Sequence, residues 1–344
     1  MSADVQHIYT DQSPGMFRAV AATADGRALR IFSEHWSGNG ERARYGALYD
    51  ARLRAFADPL RGAFCELSSG EEVFLRLKSR DGLTEGMTLG VKVLSETRRD
   101  KLARVVISDQ VVDTTSAFQA WKTGLAGHQE RVERADREFV DAAFEEALSP
   151  SITLPGGGQM HIDRTRALTA IDIDTAGRVG KGSAAARALS INREAVSELA
   201  RQISLRGLGG LFVLDCISPL TAEAITRIRD DAKGAFAEHG FVDARILKPS
   251  PLGLLEASVP WRNMPVEDKL AAKPEETELL DLLRDLQRDA IASPVKFYKL
   301  SLCGPAWQAY LSRKSETDQA LHEEFGGRVS IVESATQENK VSVQ

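Results

Sequence analysis

The chain has 344 residues, 43% of them hydrophobic and 27% charged, with a formal net charge of −5, which fits a globular chain of two to three domains. No run of 18 apolar residues occurs, so a membrane-spanning helix and a membrane partner are not expected, and residues 1–18 carry Asp4, His7 and Asp11 where a secretory signal has its apolar core. Cys65, Cys216 and Cys303 are far apart with no CxxC pair, so no zinc is expected and a reducing, cytoplasmic setting is.

Residues 17–32 read as a hairpin, two apolar stretches about the turn signal Asp25-Gly26. Between 46 and 106 five short β-like runs follow, separated by Asp58-Pro59, Ser68-Ser69-Gly70 and Asp81-Gly82, which predicts a small barrel or sandwich. Residues 116–148 switch to helical spacing, with Val132, Phe139, Ala143 and Leu148 on roughly one face and Arg131, Arg134 and Arg137 at intervals of three. The run 167–174 alternates, a Gly-containing loop with Gly177, Arg178, Gly180 and Lys181 follows, and Ile191, Ala195, Leu199 and Ile203 mark a helix over about 188–205. Residues 211–217 read as a buried strand, 220–237 as a helix and 241–247 as a strand. The spacing predicts strand, helix, strand, helix, strand, with parallel pairing through helical crossovers. An amphipathic helix follows Pro274 over 274–292, then a strand, a helix at about 305–324 and a strand, with 335–344 read as a frayed end.

Asp172, Asp174 and Asp215 lie near the carboxyl ends of two predicted neighbouring strands, where open α/β sheets form their sites. Converging carboxylates repel unless a cation lies among them, and hard oxygen ligands without imidazoles suit Mg²⁺ or Mn²⁺. An aspartate at a strand end is also the ordinary choice for a turn or a helix N-cap. The loop at 177–182 lacks the GxxxxGK spacing of a phosphate-binding loop; its Arg178 and Lys181 suit either phosphate contact or simple solvation. Phe64 and Phe74 stand in strand contexts, where rings either stack on bases or pack a core. Arg98, Arg99 and Lys101 mark a basic hairpin tip. The net negative charge argues against nucleic acid, but the acid gathers in 106–150 and 263–344, and 45–105 and 151–262 are mildly basic.

The blocks LPGGGQMHIDRTRALTAIDIDTAG, NREAVSELARQISLRGLGGLFVLDCI and PLGLLEAS, dense over 151–262, resemble the ribonuclease E/ribonuclease G family. FRAVAATADGRALRIF, LYDARLRAFADPLRGAFCEL, AWQAYLSRKS and RVSIVE are similar to its other parts. The resemblance implies an α/β (α+β overall) fold with an oligonucleotide-binding barrel and a DNase I-like nuclease domain. Its parts would be an N-terminal hairpin of a reduced RNase H-like subdomain (1–44), the RNA-binding barrel (45–106) and a helical connector (107–150). The DNase I-like catalytic domain (151–262), an acidic helical linker (263–294) and a small C-terminal domain (295–344) would follow. It implies an Mg²⁺-dependent endoribonuclease acting on single-stranded RNA in RNA processing or decay, with Asp172 and Asp215 as metal ligands. Asp174 stands where the family has an assisting Asn. Phe64 and Phe74 fall on the barrel's RNA-binding aromatics, and Lys101, Arg178 and Lys181 are candidate RNA contacts. The family's zinc-link cysteines are missing, so any oligomer would form without them, and no Arg-Thr pair of a 5′-monophosphate pocket is recognisable in 106–150. The alternative is a non-catalytic RNA-binding protein of the same fold.

Overall fold

The computed structural model describes residues 4–36, 42–80, 82–99, 101–110, 116–125, 131–178, 182–336 and 338–343. Strands β1 (His7–Ser13), β2 (Met16–Ala22) and β3 (Ala28–His35) form an antiparallel meander. The expected hairpin is β2–β3, turned by Gly26 at φ +79°. β4 (Leu48–Ala57), β5 (Gly62–Leu67), β6 (Glu72–Arg76), β7 (Thr88–Ser95) and β8 (Ala103–Ile107) close into a barrel in the order β4-β5-β6-β8-β7. Each matches one of the five apolar runs. Their alternate residues fill the interior: Ala51, Leu53, Cys65, Val73, Leu75 and Val105 are fully buried.

The helical reading of 116–148 is corrected. The segment holds α1 (Ala117–Thr123), the strand β9 (Val132–Ala135) and α2 (Arg137–Leu148). β9 pairs in parallel with β1, Ile8 opposite Glu133, and completes a sheet of order β3-β2-β1-β9. Residues 107–150 are therefore more than a helical connector, and Arg131, Arg134 and Arg137 do not share a helix face. All four β9 residues are exposed, so no alternation announces the strand; the free edge of β1 supplies its reason to exist.

β10 (Ser151–Thr153), β11 (Gln159–Arg164), β12 (Thr169–Asp174), β13 (Gly210–Asp215), β14 (Arg245–Ile246) and β15 (Leu254–Val259) form a six-stranded sheet of order β10-β11-β12-β13-β15-β14. α3 (Ala184–Arg206) and α4 (Ala222–Glu238) are its crossover helices. Only β12 and β13 pair in parallel; the other ladders are antiparallel. The parallel crossover reading holds for the β12–β13 pair, but β14 is not the neighbour of β13: β15 inserts between them, antiparallel to both. α3 starts at Ser183, whose hydroxyl accepts from the Ala186 N–H, and stops at Gly207 with φ +69°. Ile171, Phe212 and Leu214 of the sheet share one core with Leu199, Ile203, Ile228 and Phe236 of the helices, and the opposite face leaves Ala170, Asp172, Asp174 and Asp215 exposed.

The other side of α3 meets the N-terminal sheet through charge and through Leu205, which packs with Val20 and Ala28. Arg201 pairs with Glu198 and Glu146 and donates to the Ala28 carbonyl at 2.7 Å, while Arg27 pairs with Glu198. α5 (Val266–Ala271) leads into α6 (Pro274–Ala292). Rather than serving as a free linker, α6 buries Leu279, Leu283 and Leu286 against the C-terminal unit. That unit comprises β16 (Tyr298–Leu302), α7 (Gly304–Ser312), α8 (Lys314–Phe325), β17 (Val329–Glu333) and β18 (Lys340–Val343), with sheet order β17-β16-β18. The expected single helix is two, and the expected frayed end contains β18, paired antiparallel with β16. Among the described residues no helix is long and apolar enough to cross a membrane.

Candidate functional site

The parallel register of β12 and β13 runs Thr169 opposite Phe212 through Ile171 opposite Leu214. One step further sets Asp172 beside Asp215, across a strand spacing of about 4.8 Å. Both are exposed, on the face away from α3 and α4, because their neighbours Ile171, Ile173 and Leu214 turn into the core. Neither carboxylate has a hydrogen-bond or ion-pair partner among the described residues. Asp174 lies on the same face two residues on, but its Oδ1 accepts the Ala176 N–H at 2.8 Å, the turn use of an aspartate.

Two buried devices shape this end of the sheet. Asn192 of α3 is fully buried; its side chain donates to the Ile217 carbonyl at 2.9 Å and accepts the Ile217 N–H at 2.8 Å. It thereby holds the segment leaving Asp215. The tight turn between β10 and β11 comes against the end of β12: a Cβ on Gly158 would lie 2.6 Å from the Asp174 carbonyl oxygen. Burial pushes the Cys216 thiol up to about 11, so it stays an inert thiol beside Asp215.

Arg178 pairs with Glu194 of α3 at 2.7 Å, and Glu194 also accepts the Gly156 N–H. The structure thus gives Arg178 a role in tying the loop after β12 to the β10–β11 turn. Lys181 lies outside the described residues. His161, without a partner at any motif spacing in the sequence, stands directly opposite Asp172 on β11. The signal for it was the turn at 165–168: pairing Arg164 with Thr169 fixes His161 opposite Asp172. Asn192 had a weaker signal, a polar residue beside the apolar stripe of α3.

On the barrel, Phe64 and Phe74 are cross-strand partners on the outer face, half-buried, with ring centroids 5.6 Å apart and planes at 68°. The Phe74 ring covers Gly62, where a Cβ would collide with it. Arg104 is the next register partner of Phe74, and Arg76 is its neighbour two residues along β6. The expected basic hairpin is present: Arg98 and Lys101 exchange both backbone hydrogen bonds, at 3.0 and 2.8 Å. It meets the six-stranded unit, since Arg98 lies 4.6 Å over the Trp261 ring and Arg99 donates to the Thr165 carbonyl at 3.3 Å. Lys101 is exposed at that junction.

Two adjacent, exposed, unpaired carboxylates fit a hard cation that keeps most of its waters, as Mg²⁺ does. Among the described residues no cluster of three or more His, Cys, Asp or Glu side chains is placed to hold a metal, so Asp172 and Asp215 would hold it alone.

Residues 68–259 match the Ribonuclease E/G family. The chain is 41% identical over 123 residues to ribonuclease E of Haemophilus influenzae, covering 35% of this chain and 13% of that protein. It is 37% identical over 154 residues to ribonuclease E of Synechocystis sp., covering 39% and 23%. It is 33% identical over 131 residues to ribonuclease G of Salmonella typhimurium, covering 38% and 26%. The matched segments thus span about a quarter or less of these relatives' length.

Proposed function

Since this chain belongs to the ribonuclease E/G family, we propose that it is an Mg²⁺-dependent endoribonuclease that cuts single-stranded RNA in cytoplasmic RNA processing or decay. The observation that carries the proposal is the placement of Asp172 and Asp215 one step beyond the paired register of β12 and β13, exposed and without a counter-charge among the described residues. When bound, the cation would polarise a phosphoryl oxygen and make a water acidic enough to attack. Asp172 and Asp215 hold the charge that fixes it, and hydrolysis leaves a 5′-phosphate and a 3′-hydroxyl. Asp174, with one oxygen committed to its turn, shapes the end of β12 and has its other oxygen for the metal's waters. In this reading residues 45–106 are the oligonucleotide-binding barrel, and Phe64 and Phe74 stack on bases while Arg104 and Lys101 meet the backbone. Residues 151–262 are the DNase I-like catalytic domain, with Arg178, tied to Glu194, and Lys181 as its candidate RNA contacts.

The test is end-labelled single-stranded RNA incubated with the protein, with and without Mg²⁺. Cleavage that appears with Mg²⁺ and stops in excess chelator supports the proposal; cleavage in excess chelator overturns it. One second reading, a non-catalytic RNA-binding protein, is favoured by the commitment of one Asp174 oxygen to its turn. That reading expects tight RNA binding with no cleavage at any Mg²⁺ concentration.

A further inference from the structure

The open face of the six-stranded sheet carries an imidazole that the proposed reaction does not use. His161 on β11 is in register with Asp172 on one side and with Ser151 of β10 on the other. Its Nδ1 lies 2.6 Å from the Ser151 hydroxyl. That hydroxyl therefore occupies Nδ1 and leaves Nε2 as the ring's free nitrogen. Nε2 has no protein partner among the described residues and is not among the buried unpaired atoms. The half-buried ring is therefore held at one nitrogen and presents the other on the face that carries the aspartates.

Strand spacing puts His161 about 7 Å from the midpoint of Asp172 and Asp215. This is too far to reach a phosphate held between them, but about one nucleotide along an extended strand. Asp163 and Gln159 flank the ring along β11, with Asp172 opposite. A lysine here would pair with Asp172 and compete with the cation. Resting on the proposed nuclease site, we infer that His161 binds substrate. Its Nε2–H donates to the RNA phosphate adjoining the one that is cut, and Ser151 is a positioning residue acting through it.

A contact to a phosphate that does not react is kept from ground state to transition state, so its loss falls on KM and not on kcat. His161→Ala is expected to raise KM for single-stranded RNA about five- to tenfold with kcat within about twofold. His161→Gln, which keeps an N–H donor, recovers most of the loss, and Ser151→Ala gives a smaller rise. The decisive arm uses RNA with one neutral methylphosphonate linkage, placed either 5′ or 3′ of the cut. One of the two placements should raise the wild-type KM and erase the difference between wild type and His161→Ala. An unchanged KM in His161→Ala, a fall in kcat alone, or a difference that persists on both modified substrates overturns the inference. Should His161→Ala fail to fold, wild type against Ser151→Ala on the same substrates decides it by the same criterion. Normal cleavage by Asp172→Asn would instead defeat the nuclease reading itself. A wild-type KM in His161→Ala beside an inactive Asp172→Asn defeats only this inference.

Discussion

The barrel and the six-stranded sheet each bury one set of alternate residues, yet they show solvent different chemistry. The barrel closes on itself, so its free positions face outward, and β5, β6 and β8 line up Phe64, Phe74 and Arg104 there. The sheet is covered by α3 and α4 on one face, and its free face gathers Asp172, Asp174 and Asp215 at one end. An aromatic and basic surface attracts a nucleic-acid strand unaided. An acidic one repels it until a cation is present. In the proposed reading the two regions divide holding from cutting, and variants should separate the two.

The largest expected effect breaks cutting alone. Asp172→Asn or Asp215→Asn should slow cleavage about a thousandfold or more, about 4 kcal/mol in the transition state. RNA affinity should be unchanged or tighter, and Tm unchanged, because neither carboxylate is tied to the fold. Single-turnover cleavage beside fluorescence anisotropy checks this, and wild-type rates in either variant would remove the metal assignment.

A second effect separates the regions by acid. Burial, aided by the nearby Arg201 and Arg30, pushes His239 at the end of α4 down to about 4, whereas an unfolded histidine titrates near 6.5. The depressed value means that the unfolded chain binds the extra proton between these limits. His239 thus contributes stability fully above about pH 6.5, and that contribution is lost as pH falls to about 4, by roughly 2–3 kcal/mol. The stretch 45–106 has no histidine. Urea unfolding at pH 4.5 and 7.5 should weaken the α/β unit on this account, and His239→Gln should flatten the slope. An identical pH slope in that variant would refute the assignment.

The third effect breaks holding alone. Phe64→Ala or Phe74→Ala should cost about 1–3 kcal/mol of RNA affinity per ring, with cleavage at saturating RNA kept. The rings are half-buried on the outer face, so stability should fall by less than the roughly 3–5 kcal/mol of a core phenylalanine. A lower Tm with unchanged affinity of the folded fraction would make them packing residues.

The smallest effect concerns RNA ends. Arg131 donates to the carbonyls of Lys122 and Leu125 at 2.9 and 3.0 Å, and Arg137 donates to the Arg284 carbonyl at 2.7 Å. Two of the arginines in 106–150 thus serve the backbone rather than a phosphate pocket. RNAs with a 5′-hydroxyl, monophosphate or triphosphate should be cut at rates within tenfold, less than about 1.4 kcal/mol. A larger monophosphate preference would show a pocket in this segment.

Local pattern made much of this molecule legible. The barrel strands, α3, α4 and α6 carry apolar residues at the period of their own element, and Asp172 and Asp215 each end an apolar run. What escaped depends on partners distant in sequence. β9 has four exposed residues and exists through its ladder with β1, and β18 likewise forms against β16. The insertion of β15 beside β13 reverses a neighbour that crossover logic makes parallel. Arg178 reads as a free loop cation until Glu194, a full helical turn and more away in α3, takes it. Phe64 and Phe74 could not be assigned to core or surface from the sequence because both strand faces carried bulky residues; the register with fully buried Cys65, Val73 and Leu75 turned them outward.

The two-sided burial of α3 also has a consequence in time. Arg27 waits for Glu198, 171 residues later, and a ribosome adding about 5–20 residues per second takes roughly 10–30 s to supply it. Throughout that interval β1, β2 and β3 have left the ribosome while the face that α3 will cover is open. α3 brings them the charged Glu198 and Arg201 beside the apolar Leu205, which packs with Val20 and Ala28, so the flank left open while the helix folds onto its own sheet is part ionic and part apolar. The two parts therefore close late, along one face of one helix, and the N-terminal sheet is covered there only when that helix has been made.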